Sequence, residues 1–217
     1  MERKNILIIV FVLVILVIAL GASYMMFSNK GDTTNFNAAF ISGSFTGNVS
    51  GNVINDSVPN HQFQASYIDS NNGITYNMST LKDGDFLIDL MQLQGLQSPE
   101  HRQLGENNWN IFYSQAVPNT QVSNNTTTDN SSVYNVYICQ ADKDNQTFLI
   151  YVISNSSKVE CDGSLYCPMY KDYVEPLLTS TTLKTNPSAP TGPDVLGIDN
   201  ATYNQLLDQI KNAKGAN

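Results

Sequence analysis

The sequence predicts an α+β protein: a single N-terminal transmembrane helix, then an extracytoplasmic antiparallel β-sheet domain with a packed helix. Three observations carry this. Of the 22 residues from Ile6 to Phe27, all but Gly21 and Ser23 are apolar or aromatic, and none is charged. Beyond them lie short alternating runs separated by Asp/Asn/Gly turns, the pattern of strands in a half-buried sheet. Late in the chain Tyr170, Tyr173, Val174, Leu177 and Leu178 follow helical spacing.

As a helix, Ile6–Phe27 spans about 33 Å, close to the hydrocarbon thickness of a bilayer. Fourteen of the fifteen residues Ile6–Leu20 are Ile, Leu, Val or Phe. On an insertion scale they favour the membrane by roughly 4–8 kcal/mol. Arg3 and Lys4 precede the run. By the positive-inside rule they place the N-terminus in the cytoplasm and the bulk of the chain outside. A cleaved signal peptide is the competing reading, with Ala19-Leu20-Gly21 as a weak small-x-small site. A type IV pilin-like subunit also starts with an apolar helix. It predicts a small-residue processing site, whereas Glu2-Arg3-Lys4-Asn5 stands here.

The domains follow in order. Residues 1–29 are a cytoplasmic stub and signal-anchor, and residues 30–58 a Gly/Asn-rich stalk. In the stalk Gly43, Gly47 and Gly51 recur every four residues, a density that weakens both helix and strand. Residues 59–185 are the α+β ectodomain. Residues 186–198, with Pro187, Pro190 and Pro193, read as a linker. Residues 199–217 form an amphipathic helix, with Tyr203, Leu206, Leu207 and Ile210 as its stripe. That stripe docks on its own domain, on a partner or on the membrane surface.

Within the ectodomain, residues 61–68 alternate with Phe63, Ala65 and Tyr67 on one face, and residues 74–78 alternate likewise. The Asp83-Gly84 turn favours a hairpin, which makes Phe86–Leu93 a strand. Ser98-Pro99-Glu100 reads as a helix or turn start. Residues 108–117 alternate around Trp109, Ile111 and Tyr113. Residues 133–140 and 147–154 form a hairpin; Thr147–Ile153 is apolar on both faces and belongs in the middle of the sheet. Residues 119–132, nearly pure Asn, Thr and Ser, read as an exposed loop. Pro176 kinks or interrupts the late helix.

The formal net charge is −8, with two arginines in the chain. Such a surface repels phosphate backbones, so no nucleic-acid partner is expected. Of three cysteines, Cys161 and Cys167 bracket a short turn. A disulfide there closes seven residues and contributes roughly 2.4 kcal/mol on the loop-entropy model. Cys139 is the odd one, a buried strand thiol or a link to a partner chain. Three cysteines and the separated His61 and His101 give no zinc-type spacing.

Asn-x-Ser/Thr sequons fall at Asn48, Asn55, Asn77, Asn124, Asn125, Asn130, Asn145, Asn155 and Asn200. They are glycosylation candidates on an exported chain, though an Asn- and Thr-rich composition explains them as well. Asn124 and Asn125 are adjacent, so both are rarely used together.

The segment order Gly73–Asn77, Glu106–Tyr113, Thr147–Ile153 and Tyr170–Leu178 ending in Thr182-Leu183-Lys184 resembles PsbP-like small α/β domains. Such domains occur in membrane-anchored surface proteins of methanogenic archaea. The resemblance covers roughly residues 60–185 and rests on order and texture. The usual Tyr-Pro-x-x-Trp start is replaced by Tyr76-Asn77-Met78. It implies a noncatalytic binding or assembly module with no catalytic residues to transfer.

Candidate chemistry is sparse. Glu100 and His101, beside Arg102, could do acid–base work in an exported cell-wall-acting hydrolase; a charged helix start explains them equally. Asp83, Asp85 and Asp89, or Asp142, Asp144 and Asn145, could hold calcium. Neither matches an EF-hand, since position 12 counted from Asp142 is Ile153. Trp109, Tyr113, Tyr134 and Tyr137 form either an aromatic glycan-binding face or core. The expectation is therefore no cofactor, no metal and no catalytic residue. The partners expected are the membrane through Ile6–Phe27 and a protein or glycan at the cell surface.

Overall fold

The computed structural model describes residues 33–53, 64–116, 133–155, 159 and 161–215. The expected anchor Ile6–Phe27 and the loop 119–132 lie outside them, as do Asn55, Phe63, Asn124, Asn125 and Asn130. No helix among the described residues is long and apolar enough to cross a membrane.

The chain runs β1 (Thr33–Asn37), β2 (Ile41–Thr46), β3 (Ser50–Val53), β4 (Ala65–Asp69), β5 (Ile74–Lys82) and α1 (Asp85–Leu93). It continues with β6 (Glu100–Leu104), β7 (Asn107–Ala116), β8 (Tyr134–Lys143) and β9 (Gln146–Asn155). A π-helical turn (Tyr170–Val174) leads into α2 (Glu175–Ser180) and β10 (Thr182–Leu183), then α3 (Gly192–Leu196) and α4 (Asn200–Gly215). It is a mixed α+β fold with antiparallel sheets and few helices.

The large sheet has seven strands in the order β3-β4-β5-β9-β8-β7-β6, each antiparallel to its neighbours. Strand β9 lies at its centre, with Phe148, Leu149, Ile150, Val152 and Ile153 buried from both sides. A strand covered on both faces needs apolar residues at consecutive positions, which is the pattern read from the sequence. The β8–β9 hairpin turns at Asp144 and Asn145, with φ of 52° and 58°. Positive φ at both central positions is the hairpin turn that Asp and Asn tolerate best.

One face of the sheet carries Tyr76, Met78, Trp109, Ile111, Tyr137, Cys139, Phe148 and Ile150. It is covered by a second, three-stranded sheet (β1-β2-β10) and by the π-helical turn with α2. The other face carries Leu81, Phe112, Ile138 and Leu149, covered by Ile88 of α1 and Val195 of α3. Helix α4 forms an outer layer: its Tyr203 and Ile210 pack on Phe86 and Leu90 of α1.

Four expectations are corrected. Residues 30–58 do not form a stalk throughout, because 33–53 build β1, β2 and β3. Phe36, Phe40, Ile41, Phe45 and Val49 are all buried, and each large apolar side chain so buried stabilises by about 1.5–3 kcal/mol. Glycines between them hid the pattern. One is structural: a Cβ on Gly51 would lie 2.3 Å from the Ser66 carbonyl oxygen.

Residues 86–93 are helical rather than extended. Asp83 turns with φ 56°, and Leu87 N–H bonds back to the Gly84 carbonyl at 3.1 Å, opening α1 instead of a hairpin. The helix buries two stripes: Leu87, Ile88 and Met91 toward the sheet, Phe86 and Leu90 toward α4. Two stripes made the run apolar enough to pass for a strand.

Ser98-Pro99-Glu100 starts no helix. Glu100–Leu104 is strand β6, paired with β7 in the register Arg102↔Trp109.

The Pro-rich segment 186–198 is packed rather than a linker. Asn186, Ala189 and Val195 are buried, and the Lys82 N–H bonds to the Pro190 carbonyl at 2.9 Å. A capping box opens α3: the Thr191 hydroxyl accepts from the Asp194 N–H, and the Asp194 carboxylate accepts from the Thr191 N–H. The domain therefore extends past 59–185 in both directions. Pro176 interrupts the late helix as expected. Its missing N–H and its ring disfavour an α-helical bond to Asp172, and the turn before it widens to π geometry.

Candidate functional site

Of the chemistry named from the sequence, Glu100, His101 and Arg102 lie on β6, the edge strand of the large sheet among the described residues. Successive strand residues point to opposite faces. Glu100, Arg102 and Leu104 therefore share one face, and His101 and Gln103 the other. Glu100, His101 and Gln103 are exposed and Arg102 is half-buried.

The Cys161–Cys167 disulfide is formed, with Cα atoms 5.1 Å apart. It closes a loop that lies against this edge. From below, the Tyr137 hydroxyl donates to the Leu165 carbonyl at 2.6 Å and contacts Cys167 Sγ at 3.3 Å. Cys167 is buried, and its carbonyl accepts from the Tyr170 N–H at 3.0 Å, tying the loop to the following helix. Pinned at both ends, the loop presents Tyr166 outward, 41% exposed.

Tyr166 organises the edge. Its hydroxyl donates to Glu100 Oε1 at 2.9 Å and accepts from Arg102 Nη1 at 3.3 Å. The Arg102 guanidinium lies 5.7 Å from the Tyr166 ring centroid, within cation–π range. Arg102 Nη2 donates to Glu175 Oε1 at 3.3 Å. With both side chains about a third exposed, this pair contributes at most about 1 kcal/mol. Tyr170 meets Tyr166 edge-on at 5.3 Å. Burial pushes the Tyr170 hydroxyl up to about 12, Glu175 adding to the rise and Arg102 opposing it. The Tyr166 hydrogen bond is the main reason Arg102 holds its proton still more firmly than usual.

This arrangement bonds its polar groups to one another; it does not assemble an acid–base pair. Exposed His101 shares its Nδ1 with Asn110 Oδ1 at 2.7 Å on the face opposite Glu100. The two cannot converge on one bond, which removes the geometric basis for a hydrolase built on them.

The aromatic-face reading also divides. Trp109 and Tyr137 are 1% and 0% exposed, inside the core. Tyr113 is half-buried, its hydroxyl donating to Asn135 Oδ1 at 2.9 Å. Tyr134 sits on the opposite face from Tyr137 by strand alternation. Core packing accounts for the first two.

Among the acidic residues, Gln140 Nε2 bridges Asp85 at 2.8 Å and Asp142 at 3.4 Å. Burial chiefly, then Asp142, Asp89 and Asp83, raise the Asp85 carboxyl above its ordinary range. Asp89 pairs with Lys214. Among the described residues no group of three or more His, Cys, Asp or Glu is disposed to hold a metal ion. Cys139 is a buried free thiol.

The sequons divide as well. Asn48, Asn145 and Asn200 are exposed, in the β2–β3 connection, at a hairpin tip and at the start of α4. Asn77 is 4% exposed in β5 and accepts a 2.7 Å hydrogen bond from Ser66, so a glycan there is incompatible with this fold. Asn155 ends β9. The sequence pointed to Arg102 beside Glu100 and His101 but not to Tyr166 or Glu175; an aromatic inside a short Cys-closed loop was the available signal for Tyr166.

Edge, loop and helix thus define an α+β domain with a paired polar–aromatic surface site. No family model matches the chain. No curated protein matches it. Several solved structures are similar to it, among them the two that follow. The cyanobacterial PsbP (CyanoP) of Synechocystis aligns over 75% of this chain and 99% of its own, with 7% identity and a TM-score of 0.44. A protein of Bacteroides thetaiotaomicron aligns over 73% of this chain, with 11% identity and a TM-score of 0.42. The chain spans about half the length of that protein, 50%.

Proposed function

We propose that this chain is a membrane-anchored extracytoplasmic surface protein whose folded domain is a noncatalytic binding or scaffolding module. The observation that carries the reading is the Cys161–Cys167 disulfide inside a domain that follows the apolar run Ile6–Phe27. Structural disulfides persist in oxidising compartments outside the cytosol. The exposed sequons Asn48, Asn145 and Asn200 support the same side of the membrane. The edge site supports binding over catalysis, because the Glu100, Arg102, Tyr166 and Glu175 head groups are bonded to one another. The resemblance to domains of membrane-anchored archaeal surface proteins points the same way.

The test is fractionation of native cells under thiol alkylation without reductant. The chain is expected in the membrane fraction, with Cys161 and Cys167 linked and unalkylated. Recovery in the soluble fraction with both cysteines alkylated contradicts the reading.

A further inference from the structure

Among the described residues strand β6 ends the seven-stranded sheet, and three of its five residues are exposed. A sheet edge is a template for another strand unless something blunts it, and short length and charge are the usual means. Here the charges do something more specific. In an antiparallel pair of identical strands the two-fold axis passes through a residue, because opposite residues must point the same way along the ladder. An axis at Glu100 sets Glu against Glu, and one at Arg102 sets Arg against Arg, both repulsive. An axis at Gln103 places Arg102 opposite Leu104. Only an axis at His101 places Glu100 opposite Arg102, and symmetry makes that pair twice.

We propose that β6 is a homotypic docking edge: two copies of this chain join β6 to β6 antiparallel about a two-fold axis at His101. Their large sheets then merge into one, and Glu100 of each copy faces Arg102 of the other.

Three further observations fit this occupant. Tyr166 stands on the same face as Glu100 and Arg102, bonded to both and 41% exposed. Two copies of it flank the axis and cover the charge pairs. Tyr and Arg are the residue types that concentrate in protein interfaces. The disulfide and the Tyr137 bond hold Tyr166 in place beforehand, which lowers the ordering cost of association. Finally, no Asn-x-Ser/Thr sequon with x other than Pro falls within residues 78–123 or 156–199. Those two segments supply β6, β7, the disulfide loop and α2, so the elements that build the edge carry no glycan attachment site.

The experiment uses the full chain in detergent, with His101→Cys and, separately, Gln103→Cys under mild oxidation. Opposite residues of an antiparallel pair have Cα atoms about 4.5–5.5 Å apart, inside the usual disulfide range of about 4.4–6.8 Å. H101C is therefore expected to run as a covalent dimer on a non-reducing gel. Q103C is off the axis, and its symmetry mate lies roughly 13 Å away by strand rise, so it stays a monomer. In the H101C background, E100R and R102E each suppress the cross-link several-fold, and the double exchange E100R/R102E restores it. Equal cross-linking of H101C and Q103C overturns the proposal. So does the absence of cross-linking in both while the Cys161–Cys167 link is intact by mass, which would leave the edge to a different partner or to none.

Discussion

The Tyr137 hydroxyl donates a 2.6 Å hydrogen bond to the Leu165 carbonyl oxygen, joining the buried side of the central sheet to the disulfide loop. Tyr137 is 0% exposed, and Tyr166 emerges one residue beyond that carbonyl. A core residue thereby sets the position of a surface residue.

Tyr137→Phe keeps the ring in the core and removes this bond together with the hydroxyl's contact to Cys167 Sγ. A half-buried carbonyl left without its partner costs about 1 kcal/mol, so chemical denaturation should show a loss of that size. The loop should also loosen, seen as faster backbone hydrogen exchange in residues 161–167. Reducing the disulfide instead should cost roughly 2.4 kcal/mol by loop entropy. A Tyr137→Phe variant as stable as the parent would show that the loop is held by the disulfide alone.

Alkali should weaken the fold. Burial raises the hydroxyl pKa of Tyr76, Tyr137 and Tyr170, the last to about 12. A neutral group with a raised folded-state pKa contributes stability that is fully present below the unfolded value, about 10 for tyrosine. That contribution is lost as pH rises past it. Denaturation midpoints should therefore be level across neutral pH and fall from about pH 10 upward. A midpoint unchanged to pH 12 would contradict the burial of these hydroxyls.

Gly105 turns β6 into β7 with φ 60°, and a Cβ there would lie 2.3 Å from the Thr179 carbonyl oxygen at the end of α2. The obstacle is backbone, so it cannot swing aside. Gly105→Ala should destabilise by roughly 1–3 kcal/mol through overpacking, with the left-handed conformation adding to it. Thermal unfolding measures this, and an unchanged melting temperature would mean that α2 does not approach β6 as described.

Helix α4 rests on α1 through a separate small cluster, Phe86, Leu90, Tyr203 and Ile210. Ile210→Ala should cost about 2–5 kcal/mol of docking free energy. The loss should be local: amides of residues 200–215 exchange faster while β8 and β9 stay protected. Uniform loss of protection would instead make α4 part of the central cooperative unit.

The sequons give a paired prediction. On the proposed exported topology Asn145, at an exposed hairpin tip, is open to glycosylation, and Asn145→Gln should then lower the intact mass of the native protein by one glycan. Asn77→Gln should leave the mass pattern unchanged apart from the residue itself. It should lower stability by about 1 kcal/mol through the lost Ser66 bond. Glycan recovered on Asn77 of folded protein would overturn the placement of β5.

How far the sequence could be read depended on what each pattern encodes. Two-sided apolarity identified β9 as central, because only a strand covered on both faces needs Phe148 through Ile153 in succession. The 170–178 helix was legible from its spacing, and the Cys161–Cys167 pair from proximity. The small sheet was not: Phe36, Ile41 and Phe45 are interleaved with glycines that permit close approach, and glycine density reads locally as disorder. Helix α1 was misread because two partners bury two of its sides. The edge site was invisible because Arg102, Tyr166 and Glu175 lie 64 and 73 residues apart by pair. Only the packing of the disulfide loop and of α2 against β6 brings them together.

On the proposed topology the folded domain lies outside the membrane, tethered by the apolar segment before it. Brief protease treatment of intact cells tests it most directly. The account predicts that a soluble fragment containing residues 33–215 appears in the supernatant, with Cys161 still linked to Cys167. A domain that stays intact until the cells are lysed would contradict it.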